Sequence, residues 1–256
     1  MTSTGARGAS GIARIDLYLT PDEAERAPLE DRRLVVVDVL RSSTSIATAL
    51  QNGASKIIPV ETVEDATRLA QTLDPKSRLL CGERDGRKVS GFDLGNSPRE
   101  YTRDRVEGAT LVFASTNASP LMAGRLEGRE QRVLGYVNLS AVAELALDER
   151  VDLAILCAGK SGRFSLEDAA CAGALIRRLA GDGDSVALND AAEMAREYDR
   201  RHGANPESIL RVCEHGRYLI ELGFEEDLPV CARIDSVPLV PLLKDGRITV
   251  PAAARR

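Results

Sequence analysis

From residue 12 onward, short apolar runs alternate with longer amphipathic stretches. The runs have strand length and are rich in β-branched residues, and the stretches repeat apolar positions at helical spacing. Residues 12–19 predict a first strand. Residues 33–40, apolar on both faces except at Asp38, predict a buried central strand. Residues 42–52 predict a helix with Gly53 as its stop, 56–60 a strand, and 63–73 a helix with Val63, Ala66, Leu69 and Ala70 on one face. Strands follow at 77–82, 110–114, 132–137 and 151–157. Helices follow at 120–126, 140–147 and 166–180, and Ser165 with Asp168 matches a capping box at the start of the last. Residues 186–222 predict two helices broken at Gly203-Ala-Asn-Pro206, and 230–250 predict short strands with a hairpin turn at Lys244-Asp-Gly-Arg247. Alternating strands and helices predict an α/β fold with a mostly parallel sheet and helices on both faces. Six or seven strands without eightfold regularity favour an open sheet over a barrel. No repeat or linker interrupts the pattern, so residues 12–256 read as one domain behind a flexible tail of residues 1–11.

The stretch from Cys81 to Pro98 breaks the rhythm. It holds four glycines and three acids and little that could build a core. A polar, Gly-rich connection of this length in a compact domain points to function. It follows a predicted strand, and open α/β sheets bind ligands where their strands end. Other strand ends are similar: Asp38 and Arg41-Ser-Ser-Thr-Ser45, Gly82-Glu-Arg84, Ser115-Thr-Asn-Ala-Ser119, Asn138, and Cys157-Ala-Gly-Lys-Ser-Gly162. If the sheet is parallel, these ends share one rim, with the composition of an anion site beside a metal. Asp38 interrupts an apolar run, so it is expected to be buried and to need a partner, either Arg41 or a metal.

Composition narrows the partners. The net charge is −5 and only 4% of residues are aromatic, which argues against nucleic acid. No apolar run approaches membrane-span length and the Ala/Gly/Ser-rich start lacks a signal core, so a cytoplasmic location is expected. Five dispersed cysteines and two histidines support neither a disulfide framework nor a zinc site. A bound metal would then be held by oxygen ligands, which favours Mg²⁺. Gly159-Lys-Ser161 fails as a P-loop, because Ala154 stands where the first glycine belongs. Asp38-Val-Leu-Arg41 lacks the second aspartate of aspartate-nucleophile phosphatases. Cys157 and Arg163 do match the C-x-x-x-x-x-R pattern of cysteine phosphatases, although a small buried cysteine ending a strand explains Cys157 as well.

Taken together, Val37-Asp-Val-Leu-Arg-Ser-Ser-Thr-Ser45, Gly91-Phe-Asp-Leu-Gly-Asn-Ser-Pro98, Ser115-Thr-Asn117, Asn138 and Phe164-Ser-Leu-Glu-Asp168 resemble the 2-phosphosulfolactate phosphatase (ComB-like) family, in order from about residue 12 to 225. The resemblance implies a three-layer α/β/α fold, with an open, mostly parallel or mixed sheet. It implies Mg²⁺-dependent hydrolysis of 2-phospho-3-sulfolactate to sulfolactate and phosphate, a step toward coenzyme M. On that basis Asp38, Arg41 and Glu83 are the expected catalytic residues. Asp38, Glu83, Asp93, Glu167 and Asp168 are the expected metal ligands. Ser43, Thr44, Arg84, Asn96, Ser97, Thr116, Asn117 and Asn138 are the expected substrate contacts. Ala118 and Ser119 depart from the family's Thr-Asn-Gly-Thr. Two alternatives stand beside this: a metal-independent cysteine phosphatase using Cys157 and Arg163, and a non-catalytic relative that binds a metabolite. No feature sets the oligomeric state; a homodimer is a common form for such enzymes.

Overall fold

The computed structural model describes residues 11–181 and 185–251. The expected tail, apart from Gly11, lies outside them. Among the described residues, eleven strands bond into one sheet. They are β1 (Arg14–Tyr18), β2 (Arg33–Val37), β3 (Lys56–Pro59), β4 (Arg78–Arg84), β5 (Arg87–Lys88), β6 (Thr110–Ala114), β7 (Gln131–Leu134), β8 (Leu153–Cys157), β9 (Ala187–Leu188), β10 (Leu242–Lys244) and β11 (Arg247–Thr249). The helices are α1 (Pro21–Glu25), α2 (Ser42–Gln51), α3 (Val63–Ala70), α4 (Arg103–Val106), α5 (Leu139–Glu149), α6 (Leu166–Ala180), α7 (Asp190–His202), α8 (Pro206–Val212), α9 (Glu214–Glu221) and α10 (Leu228–Cys231).

The sheet order is β5-β4-β6-β3-β11-β10-β7-β2-β8-β1-β9. It contains two parallel blocks. One is β4, β6 and β3; the other is β7, β2, β8, β1 and β9. The hairpin β10–β11 joins them, pairing antiparallel with β7 on one side and β3 on the other. Three antiparallel steps make the blocks run in opposite senses, so the sheet is mixed and the expectation of a single parallel rim is corrected. In a flat sheet the carboxyl ends of the two blocks would lie on opposite rims. Twist of roughly 20–25° per strand accumulates to about 100° over the five steps from β6 to β2. The loops after β4 and β6 accordingly meet those after β2 and β8 in one cleft, through the hydrogen bonds described below.

Alternation along β2 builds the layers. Val35 and Val37 join the core formed with α5 and α6, while Leu34 and Val36 join that formed with α2 and the helical turn Pro120–Arg125. All four valines and leucines are buried, each worth roughly 1.5–3 kcal/mol relative to exposure. The result is a three-layer α/β/α arrangement. Two local expectations change. The strand predicted for 33–40 leaves the sheet at Val37, and residues 38–41 form a loop with a cis Leu40–Arg41 peptide. The region 186–222 opens with β9 and holds three helices rather than two, because the chain turns extended at Cys213, whose sulfur accepts from Gly216 N at 3.2 Å and caps α9. Apolar spacing runs on across that break, which is why the sequence reads as one helix there.

Candidate active site

Asp38 leaves β2 and caps the helix that follows. Its Oδ1 accepts from Ser42 N (3.3 Å), its carbonyl from Ser43 N (2.9 Å), and its own N–H donates to Ser43 Oγ (3.0 Å). The first N–H groups of a helix have no internal partners, and a carboxylate is favoured beside them. Burial pushes the Asp38 carboxyl up to about 6; the His215 charge and the Ser42 bond oppose this, and the Glu83 charge adds to it.

Glu83 sits near the end of β4. Its carboxylate accepts from Thr116 N (2.7 Å), Thr116 Oγ1 (3.0 Å) and Gly86 N (2.8 Å). It thus ties the loop after β6 to the β4–β5 turn. The preceding Gly82 has φ +141°, and a Cβ there would lie 2.0 Å from Ala114 O. Only glycine lets β4 lie this close to β6 and deliver Glu83.

Arg41 does not pair with Asp38, contrary to one of the two partners expected for that acid. Its Nη1 donates to Asp227 Oδ2 (2.7 Å), its Nη2 to Gly86 O (2.7 Å), and its guanidinium lies 4.2 Å from the Phe224 ring centre. Asp227 also accepts from Ser97 Oγ at 2.6 Å. Across the cleft, Asn117 Oδ1 accepts from Ser161 N (2.9 Å), joining the loops after β6 and β8. Asn96 Nδ2 donates to Ser42 Oγ (3.3 Å), while its buried Oδ1 has no protein partner.

These groups border a cavity of about 180 Å³. Of the residues named from sequence, Asp38, Arg41, Glu83, Asn96, Thr116 and Asn117 line it. The others are placed differently. Thr44 Oγ1 donates to Val39 O, and Ser43 and Ser97 serve Asp38 and Asp227 as described. Asn138 spends its amide on Val133 O, Leu239 O and Gly135 N. Arg84 donates to Glu83 O and Glu61 O, and exposed Asp93 accepts from Leu80 N. Asp168 makes no capping box with Ser165. Its two oxygens instead accept from Val39 N (2.8 Å) and Gly159 N (3.1 Å), clamping the loops after β2 and β8. Burial raises its pKa well above the usual range, and the charges of Glu167 and Asp38 raise it further. Glu167 is bonded to His215 Nδ1 at 3.0 Å.

The structure adds three groups that sequence reasoning did not assign to the site. His215 and Lys160 line the cavity, and Asp227 anchors Arg41. Lys160 pairs with Glu214 (2.9 Å) and lies 4.8 Å from the Tyr218 ring centre. Lys160 stood among the polar strand ends. His215 offered only the signal of being one of two histidines.

The cysteine-phosphatase alternative is overturned. Cys157 is fully buried within β8, and burial pushes its thiol far up, with the Asp168 charge adding to this. Arg163 is exposed and points to Glu214 at 3.5 Å. Neither a thiolate nor a phosphate cradle is assembled there.

A small cavity bordered by acids and hydrogen-bond donors, set where strands of an open α/β sheet end, defines an enzyme for small polar metabolites. Comparison with known proteins narrows the class to phosphatases. The family model for 2-phosphosulpholactate phosphatase matches residues 18–246. A protein of Thermotoga petrophila described as a probable 2-phosphosulfolactate phosphatase is 41% identical over 232 residues, spanning 91% of this chain and 96% of its own. Proteins of the same description from Carboxydothermus hydrogenoformans and Symbiobacterium thermophilum are 38% and 36% identical, over 94% and 87% of this chain and 98% and 95% of theirs. The chain belongs to the 2-phosphosulfolactate phosphatase family and is a phosphoric monoester hydrolase.

Proposed function

We propose that this chain hydrolyses 2-phospho-3-sulfolactate, or a closely related small anionic phosphate ester, to the alcohol and phosphate with the help of Mg²⁺. The observation that carries the metal is the sharing of one small cavity by buried Asp38 and Glu83. Two like charges in a buried site call for a counter-charge. Among the described residues no group of three or more His, Cys, Asp or Glu side chains gathers as a metal cage. Mg²⁺ suits such a site, since it is commonly held by one or two carboxylates plus phosphate oxygens and waters. Asp38 and Glu83 would hold it, and Asn96, whose buried Oδ1 has no protein partner, lines the same cavity. Bound there, the metal would neutralise phosphoryl oxygens and polarise the ester.

The chain's own residues supply the rest. Arg41 is fixed by Asp227, Gly86 and Phe224, so its positive charge is preorganised rather than recruited. Lys160 adds a second positive charge at the cavity wall, and the Thr116 and Asn117 loop borders the substrate space. Ala118 gives no support to a non-catalytic relative. It is fully buried in the core and has no positive φ, so the backbone there does not require the glycine usual in the family.

Phosphate release from 2-phospho-3-sulfolactate, measured with Mg²⁺ and with excess EDTA, tests the proposal. Release with Mg²⁺ and its loss in EDTA are expected. Equal release in EDTA would remove the metal from the mechanism. No release from folded protein would remove the substrate.

A further inference from the structure

The geometry points to His215 as the general acid that protonates the leaving oxygen of the ester, with Glu167 as its positioning residue. This assignment rests on the phosphatase function proposed above. His215 is the second residue of α9, and its ring is mostly buried, with 11% of the side chain exposed. It lines the cavity that holds Asp38 and Glu83, and also the adjoining cavity of about 260 Å³ that contains Glu167. Glu167 comes from the first turn of α6, 48 residues away in sequence, and is 1% exposed. A carboxylate bonded to Nδ1 fixes the orientation of the ring, so that in the imidazolium form the Nε2–H is the proton turned away from Glu167. Nε2 is then left as the nitrogen available to substrate. Among the described residues the His215 ring has no other hydrogen-bond partner.

A buried, carboxylate-oriented histidine on the wall of a cavity that also holds Asp38 and Glu83 needs a reason. The chemistry supplies one. The leaving group from a 2-phosphorylated hydroxy acid is a secondary alkoxide, a poor leaving group unless protonated as the P–O bond breaks. In the step assigned here, an oxygen attacks phosphorus and the bond from phosphorus to the ester oxygen breaks. The electron pair of that bond stays on the ester oxygen, which takes the proton from Nε2. The product is the alcohol, and the ring regains its proton from the water consumed in hydrolysis. No oxidant or further reactant is required.

Four other polar groups at the cavity are committed elsewhere. Lys160 is paired with Glu214. The Tyr218 hydroxyl donates to Asp85 O at 2.9 Å. Arg41 is paired with Asp227, and a guanidinium does not give up its proton. Asp38 is engaged at the α2 N-terminus beside Glu83.

The test uses the full chain with Mg²⁺ and 2-phospho-3-sulfolactate. His215→Ala and His215→Gln are compared with wild type for kcat, KM and thermal unfolding, and His215→Ala is assayed again with added imidazole. Loss of kcat by about 10²–10⁴-fold is expected, the range for general acid catalysis, with KM changed by less than about threefold. Imidazole should restore part of the rate to His215→Ala and none to His215→Gln, whose side chain fills the space. Glu167→Gln should lower kcat by a smaller factor, because its amide can still bond the ring. Either variant with kcat near wild type would overturn the assignment. So would a folded His215→Ala whose lost rate imidazole does not restore, since that is the behaviour of a structural residue. Absence of release from wild type would instead remove the proposed substrate on which the assignment depends, and the two failures are told apart by the wild-type assay alone.

Discussion

At Asp38 the fold places a carboxylate where its charged form costs stability. Burial is the main cause of its raised pKa, about 6 against an ordinary 3.8. The folded chain therefore binds this proton more tightly than the unfolded chain. The resulting stabilisation is complete below about pH 4 and is lost as pH rises through 6, leaving a deficit of about 3 kcal/mol at neutral pH. Asp38→Asn keeps the shape and can still accept the Ser42 N–H. In EDTA-containing buffer the variant should be more stable than wild type by about 2–3 kcal/mol at pH 7.5, and by less than about 1 kcal/mol at pH 4. It should also lose phosphate release with Mg²⁺. Urea unfolding at the two pH values measures the first effect, and a gain independent of pH would show that the charge is not what the fold resists. Asp38 was legible in sequence because an acid between Val37 and Val39 needs a partner, although a structural ion pair with Arg41 was as open there as a metal. Glu83 and Thr116 were legible as strand-end residues. His215 was not, because its partner Glu167 and its neighbour Asp38 are assembled by packing of distant segments and by no local pattern.

Between elements, the buried pair Arg41–Asp227 knits three segments that the sequence presents separately. Arg41 precedes α2, Ser97 ends the long polar loop, and Asp227 precedes α10. Both charged side chains are about as buried as core leucines, at 2% and 1% exposure. Desolvation offsets much of their attraction, so the pair adds little net stability, yet removing one member strands the other. Asp227→Asn should therefore destabilise the chain by about 3–5 kcal/mol. The double variant Arg41→Met/Asp227→Leu should recover most of that stability without recovering turnover. Chemical denaturation of the single and double variants, with phosphate release alongside, checks both parts. A double variant as unstable as the single would mean that the charges, not the packing, hold the segments together. The sequence marked Arg41 and Ser97 as site residues, but it offered no sign that an acid 186 residues away completes the arrangement.

For the whole molecule, the alternation of strands and helices was readable from residue spacing, whereas the strand order was not. Local periodicity reports which face of a strand is buried and nothing about which strand lies beside it. The hairpin β10–β11 shows the consequence. Its Asp-Gly turn was evident, but its position at the centre of the sheet, closing the gap between two parallel blocks, depends on pairings distant in sequence, Ile248 with Ile57 and Leu242 with Arg132. Ile248 is the residue on which this junction turns. It is fully buried, pairs with Ile57 of β3, and sits in the core shared with Leu34 and Val133 of the other block. Because one core and one hairpin serve both blocks, neither should unfold without the other. Ile248→Ala should cost about 2–5 kcal/mol and shift urea unfolding to lower concentration as a single transition. Circular dichroism and tyrosine fluorescence should report the same midpoint, with an unchanged denaturant slope. Separate midpoints would show that each block is stable alone and that the hairpin only links them. In that case the cleft at which β4 and β6 meet β2 and β8 would form by docking of two units. Turnover would then fail before the blocks themselves unfold.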